Sequence, residues 1–454
     1  MSIPEIEAAE APPPPMPGAE QAVLAVLAAG TIGVSLVFTH GTDTFRLPKE
    51  LVFRAEAVLL LMLGAFWITA KRRTWRFEMR PEFLLTAAIL VWTSITVATS
   101  TNRLLSLDSL ITIAAAAVIF IATCLAAQSA SLIALDVLMI GPCINALIVI
   151  LQELRIWTPF HGIADADGHY LSVALQGNSN FVGTYLAGPA VAAIVMAVTA
   201  AGWRRWIYAL VGMLVLAGVA ASGTRTAFGA VVIALLVFAV VHSRRAAIAV
   251  AAVLLVFAVI VMSPSTTLGR GMRRLVTAAS QRDYQQLFSE RLLPFLAAAD
   301  MIRDRPIAGV GPGCFKYHYM PYRVALAAKY PKEWTRGYPM NWGEVHNDHL
   351  QVAAETGIPG YLLFLGAIAL LAGVRAAARV VGFRLIALRA LPAPQPTTDN
   401  RQRARSAAAL RWPLATLIFV ICLAQFPLEL AAPRLMLLTL GALCVSWDRD
   451  DAAS

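Results

Sequence analysis

The residues best equipped for chemistry lie in one short stretch, Glu344-Val345-His346-Asn347-Asp348-His349-Leu350, which continues through Glu355-Thr356-Gly357-Ile358-Pro359-Gly360 into an apolar block. Two histidines and three acids fall within twelve residues. Three readings are open. His346 and His349, one turn apart on a helix, could hold a metal, although there is no HExxH and the acids stand at no ligand spacing. A histidine, with a pKa of about 6.5, takes up a proton near neutrality and can act as a general base. A capped helix start with no chemistry explains the same residues.

Upstream, Asp283 to Arg303 reads as one amphipathic helix, with Leu287, Leu292, Phe295, Ala299 and Ile302 at helical spacing. Asp304-Arg305-Pro306 stops it. Gly309-Val310-Gly311-Pro312-Gly313 follows; Pro312 interrupts the glycines and no strand precedes them, so a tight turn is the better reading than a phosphate loop. Phe315, Tyr317, Tyr319, Tyr322, Tyr330, Trp334, Tyr338 and Trp342 offer flat rings, which suit sugar faces and the membrane interface alike.

What must position these groups is an apolar chain. Of its 454 residues 58% are hydrophobic and 14% charged, against about 25% charged in soluble domains. Apolar blocks near 21–39, 51–70, 83–100, 107–127, 131–151, 179–201, 206–222, 226–242, 246–262, 357–375, 412–426 and 430–447 give twelve candidates for crossing a bilayer, and because the last two are short an eleven-span reading stays open. The expected fold is an all-α polytopic membrane protein of about twelve transmembrane helices with one large, largely helical outer loop. Its expected segments are a disordered tail 1–20, spans one to nine in 21–262, the loop 263–349, spans ten to twelve in 350–447 and a tail 448–454.

The net charge of +10 is topological information here, not a nucleic-acid footprint. Lys71 to Arg76, Arg204 and Arg205, Arg244 and Arg245, and Arg375 to Arg411 each follow an even-numbered span. The positive-inside rule makes those connections cytoplasmic, with both termini inside. Arg225, in the turn Ser222-Gly223-Thr224-Arg225, then shares the outer face with the large loop. The five cysteines show no disulfide framework, four of them lying in apolar blocks.

"HNDHLQVAAETGIPG", preceded by "ERLLPFLAAADMIRDRPIAGVGPGCF" and "SGTRTAF", resembles the bacterial O-antigen ligase and polymerase superfamily. "LQGNSNFVGTYLAGP" and "FPLELAAPRLMLLTLGAL" are weaker matches. The resemblance implies a metal-independent glycosyltransferase of the GT-C type, needing no cofactor, in the bacterial inner membrane. Such an enzyme moves a glycan from undecaprenyl pyrophosphate, on the periplasmic side, to an acceptor hydroxyl. The acceptor is lipid A-core in ligases, another lipid-linked chain in polymerases and a protein side chain in related oligosaccharyltransferases. By the same resemblance His346 is the base, and Arg225 and Arg291 hold the pyrophosphate, a role that suits arginine's planar, permanently charged fork. Arg303, Arg305 and Arg323 compete as phosphate ligands, and Arg291 could instead pair with Glu290. Asn347 and Asp348 are expected to orient the histidine or cap the helix, Glu355 to be structural, and Asn178 and Asn180 to face the rim of the site.

A secondary transporter is the alternative from another class. It needs ionisable groups at mid-membrane, where Asp136 is the clearest and lies toward the cytoplasmic end of its span. No paired broken helices of the inverted-repeat kind are apparent. Between ligase and polymerase, the single dominant loop favours ligase.

Overall fold

The computed structural model describes residues 17–40, 43–70, 80–127, 132–158, 172–263, 265–330, 341–373 and 398–447. The basic clusters at 71–76 and 375–389, Trp334, Tyr338 and most of both expected tails lie outside them. The described residues are helical, without strands. Their elements are α1 (Pro17–Leu36), α2 (Arg46–Ala70), α3 (Pro81–Thr99), α4 (Arg103–Ala126), α5 (Ile133–Leu138), α6 (Ile140–Glu153), α7 (Ser179–Thr199), α8 (Arg204–Ala221), α9 (Arg225–His242) and α10 (Arg244–Met262). After them come α11 (Thr267–Ser280), α12 (Tyr284–Leu287), α13 (Leu292–Asp304), α14 (Phe315–Lys329), α15 (Asp348–Leu371), α16 (Thr398–Cys422) and α17 (Ala431–Trp447).

Eight described helices are long and apolar enough to cross a membrane, two shorter ones are equally apolar, and all twelve apolar blocks overlap helices. The chain is an all-α polytopic membrane protein. At its centre stands α7, with 83% of its apolar window buried. Its sequence explains this: apolar all round and rich in Gly and Ala, it presents no polar face and lets α8, α9, α16 and α17 pack closely.

Without water, helix ends need internal partners, and buried cations supply them. Lys49 donates to the carbonyls of Val34 and Val37 at the end of α1, at 3.0 and 2.8 Å. Arg411 donates from Nε to the carbonyl of Leu371, closing α15, at 3.0 Å. Where α2, α4 and α17 meet, Glu50 is held by Arg434 at 3.3 Å, by Arg54 at 3.2 Å and by the Thr112 hydroxyl at 3.0 Å.

Two expectations fail here. Asp136 is not the clearest intramembrane acid: Glu56, along α2 and only 2% exposed, is far more buried, its carboxyl lodged where Gly30 of α1 lacks a Cβ. The sequence reading passed over it because one acid scarcely lowers the hydropathy of such a block. Asp136 is matched by the Tyr208 hydroxyl and by Arg204, at 3.3 Å from the latter. Asp283 to Arg303 is also not one helix. The chain breaks after α12, with Ser289 and Glu290 left-handed at φ +52° and +63°, and restarts with Pro294 in the first turn of α13, where a missing N–H costs nothing.

Removing Arg434 leaves Glu50 buried with fewer partners. Arg434→Ala should cost about 3 kcal/mol and lower the thermal midpoint in detergent. Arg54→Ala, whose second partner Asp108 is 63% exposed, should lower it much less.

Candidate functional site

Arg225 opens α9 directly after a tight turn. Gly223 takes φ +68°, a conformation that favours glycine, and Ser222 Oγ accepts the Thr224 N–H at 3.3 Å. The Thr224 hydroxyl donates to the Ser179 carbonyl at 2.8 Å, tying this turn to the start of α7. There Asn178 is the N-cap, accepting the Asn180 N–H at 2.8 Å. From this anchored turn the Arg225 guanidinium reaches the Gly271 carbonyl of α11 at 3.1 Å and the Ser289 hydroxyl at 2.8 Å.

The left-handed pair Ser289-Glu290 thus presents a hydroxyl to Arg225 and aims the next residue, Arg291, inward. Arg291 is buried and donates from Nη1 to the Ala424 carbonyl at 2.6 Å, just past α16. It forms no ion pair with Glu290 or with any other described acid. Burial, and then repulsion from Arg225, lower its pKa to about 10, so it stays charged at neutral pH. Arg303 instead pairs with Asp300 at 2.5 Å.

His346 sits at φ +60°, unusual for a residue with a side chain. Asn347, not His346, begins the helical region: it is the N-cap of α15 and accepts the Leu350 N–H at 3.0 Å. The two histidines are therefore not one turn apart on a helix. His349 is engaged by the Phe419 carbonyl at 2.9 Å and the Tyr361 hydroxyl at 3.2 Å. Among the described residues no group of three His, Cys, Asp or Glu is placed to hold a metal.

The His346 ring lies edge-on between Trp342 and Phe426, at 5.0 and 4.4 Å between centroids. Its Nδ1 is buried without a hydrogen-bond partner. Burial first, then the charges of Arg291 and Arg46, lower its pKa to about 2. Its imidazole is neutral. Gln351 steadies the preceding backbone by accepting the Val345 N–H at 2.9 Å. Arg46, opening α2, pairs with Glu344 at 2.6 Å.

Asp348 does not touch His346. Its N–H donates to the Gln425 carbonyl at 3.3 Å, and its carboxylate accepts the Leu428 N–H at 3.0 Å. These contacts expose what sequence reading missed: the turn from Ala424 to Leu428 is the hub of the arrangement. Ala424 receives Arg291, and Gln425 donates to the hydroxyl of Thr226, the neighbour of Arg225, at 2.6 Å. Phe426 meets both His346 and Phe181, the latter at 5.5 Å, so the Asn178–Asn180 segment ends one ring away from His346. The only signal was the quoted "FPLELAAP" string, whose residues are mostly apolar.

Glu355 is structural in a definable way. Gly357, at φ +72°, and Pro359 break α15 into segments 348–356 and 358–371. The carbonyls of Ala354, Glu355 and Thr356 accept the N–H groups of Val310 and Gly311 and the Trp92 indole, at 2.9, 3.0 and 2.9 Å. The freed Ile358 N–H donates to the Pro306 carbonyl at 2.8 Å. The Glu355 carboxylate accepts from Gly313 and Phe315 at 2.7 and 3.1 Å. The Gly-rich segment is thereby a turn clamped onto α15, with Gly309, Gly311 and Gly313 all at positive φ.

Fold and site together define a polytopic membrane protein with arginines and a neutral histidine gathered at the helix ends. Residues 210–365 match the family model described as O-Antigen ligase (Wzy_C). That match places this stretch in the O-antigen ligase and polymerase superfamily and implies a glycosyltransferase-like enzyme. No curated protein matches the chain. The matched stretch contains Arg225, Arg291 and His346; the turn at Ala424 to Leu428 lies beyond it.

Glu355→Ala should leave two buried N–H groups unpaired and cost about 2–4 kcal/mol. Glu355→Gln, which keeps an accepting oxygen, should recover part of the fall in thermal midpoint.

Proposed function

We propose that this chain is a glycan transferase of the inner membrane, drawing its donor from undecaprenyl pyrophosphate and working at the periplasmic face. In this reading the twelve apolar blocks are twelve spans, both termini are cytoplasmic, and residues 263–349 form the outer loop. The observation that carries it is the gathering of Arg225, Arg291 and His346 around one turn, the two arginines bound, among the described residues, by carbonyls and a hydroxyl. One buried and one half-buried cation, with no counter-charge among the described residues, suit an anionic ligand, and a diphosphate matches their fork geometry.

The chemistry follows from those positions. The acceptor hydroxyl oxygen attacks the anomeric carbon while the bond from that carbon to the diphosphate oxygen breaks. The electron pair leaves on the diphosphate, where Arg225 and Arg291 stabilise the added charge. The hydroxyl proton passes to His346. Burial first, and then the charges of Arg291 and Arg46, make His346 a weak base. A diphosphate on Arg291 offsets part of that repulsion and raises the basicity of His346 when the acceptor arrives.

Ligation to lipid A-core is the preferred acceptor reaction, since one loop dominates the outer face; extension of a lipid-linked chain is the second reading. Protein glycosylation is more remote. So is transport: Glu56 faces α1 and Asp136 is matched by Tyr208 and Arg204, which supplies no paired ion pathway.

In a deletion strain, glycan polymer accumulating on the lipid carrier above bare core indicates the ligase. Single repeat units on the core indicate the polymerase, and normal glycans in both pools overturn the proposal. In a reconstituted transfer assay His346→Ala should lose about 10²–10⁴-fold in rate. The acid limb of kcat/KM, which reports the free enzyme, should lie well below pH 6.5, because His346 loses its proton far below its ordinary value. The limb in kcat should sit at higher pH, since bound donor raises the same group. An acid limb near 6.5 in kcat/KM would count against His346 as the base.

A further inference from the structure

The start of α2 is anchored beside the site. The Phe45 ring fills the space where Gly177, at φ +79°, has no Cβ, one residue before the Asn178 cap. The Arg46 N–H donates to the Asp43 carboxylate at 2.8 Å, which satisfies one of the free N–H groups of the helix start. One turn on, Lys49 ties the helix to the end of α1. Held at its backbone, Arg46 sends its guanidinium to two partners. One is the Glu344 carboxylate, two residues before His346, at 2.6 Å. The other is the Glu429 carbonyl, at 3.4 Å, one residue past the hub turn that supplies Phe426.

The bridge matters because of the backbone near it. His346 holds φ +60°, a conformation that a residue with a side chain keeps only where its surroundings over-determine it. After His346 they do so twice: Asn347 caps α15, and Asp348 is bonded to Gln425 and Leu428. Before it, Gln351 holds the Val345 N–H from within α15, and Arg46 holds Glu344 from a distant helix. The charged groups on the elements around the ring are Arg291 at the start of α13, Asp43 and Arg46 at α2, Glu344, Asp348 and Glu429. Beyond burial, the larger cause, the two arginines repel a proton on the imidazole, Arg291 first and then Arg46.

We propose that Arg46 is a positioning residue for His346, bridging the segment that leads into the ring and the turn that walls it, so that the imidazole stays aimed at the acceptor hydroxyl. This rests on the reading of His346 as the base and adds to it a residue outside the family match and outside every quoted motif. Its charge gives the role a signature that packing alone lacks. A bound diphosphate offsets part of the repulsion from Arg291 and leaves that from Arg46. A nearby cation disfavours imidazolium, so without Arg46 the ring takes up a proton at higher pH. The base works deprotonated; losing Arg46 therefore moves the acid limb of kcat to higher pH.

The test is the pH profile of kcat in the reconstituted transfer assay, with purified full-length protein and saturating lipid-linked donor. Arg46→Gln should lower kcat by roughly 10- to 100-fold, keep the donor KM within about twofold and move the acid limb to higher pH. Arg46→Lys, which keeps the charge without the fork, should leave the limb in place and recover part of kcat. Glu344→Gln, which keeps Arg46 but weakens its hold, should lower kcat by about fivefold or more. A fall in thermal midpoint with kcat and the limb unchanged makes the bridge a purely structural pair and overturns the proposal. So does a loss of kcat with the limb unmoved in Arg46→Gln, which puts Arg46 to work elsewhere. If Arg46→Gln does not fold, parental kcat in Glu344→Gln overturns it. Full activity in His346→Ala fells the base reading itself; parental behaviour of Arg46→Gln beside an inactive His346→Ala fells only the role of Arg46.

Discussion

The arrangement depends on where α15 breaks. A continuous helix would bond its own carbonyls at Ala354, Glu355 and Thr356 and offer nothing to the rest of the chain. Gly357 and Pro359 release them inside the packed protein, where an unpaired polar group is costly. Val310, Gly311 and Trp92 take them up, and Pro306 receives the Ile358 N–H. The break is a docking socket. It fixes residues 306–315 to the helix that follows His346, and Glu355 adds a carboxylate clamp from the same turn. Through α13 the docked segment carries Arg291 back to the hub.

The second constraint is electrostatic. Buried cations close helix ends by donating to terminal carbonyls, as Lys49 does on α1 and Arg411 on α15. Arg291 on Ala424 is built in the same way, but it lies beside a second arginine with no acid partner among the described residues and a histidine whose buried Nδ1 has no hydrogen-bond partner. Lys49 and Arg411 are bound to two or more carbonyls of one helix end. Arg291 has a single such bond among the described residues.

Several of these features were legible in the sequence. The twelve apolar blocks, the stop at Asp304-Arg305-Pro306 and the turn at Gly223 follow from hydropathy and from local backbone preference, which residues carry with them. The N-cap at Asn347 belongs to the same class. The break at Ser289-Glu290 was not legible, because neither residue type signals a left-handed backbone; its cause is tertiary, the paired reach of Ser289 to Arg225 and of Arg291 to Ala424. Glu56 was masked by its apolar neighbours. The hub was invisible for a different reason: Ala424 and Leu428 act through backbone groups, and backbone groups leave no trace in residue type.

The hub also sets an order of events during synthesis. His346 gains its Phe426 wall, Arg291 its carbonyl and Asp348 its Leu428 partner only after the segment beyond α16 has been made and inserted. A ribosome must translate some eighty residues past His346 before the pocket has a back. Until then the nascent chain carries its motif residues without a closed site.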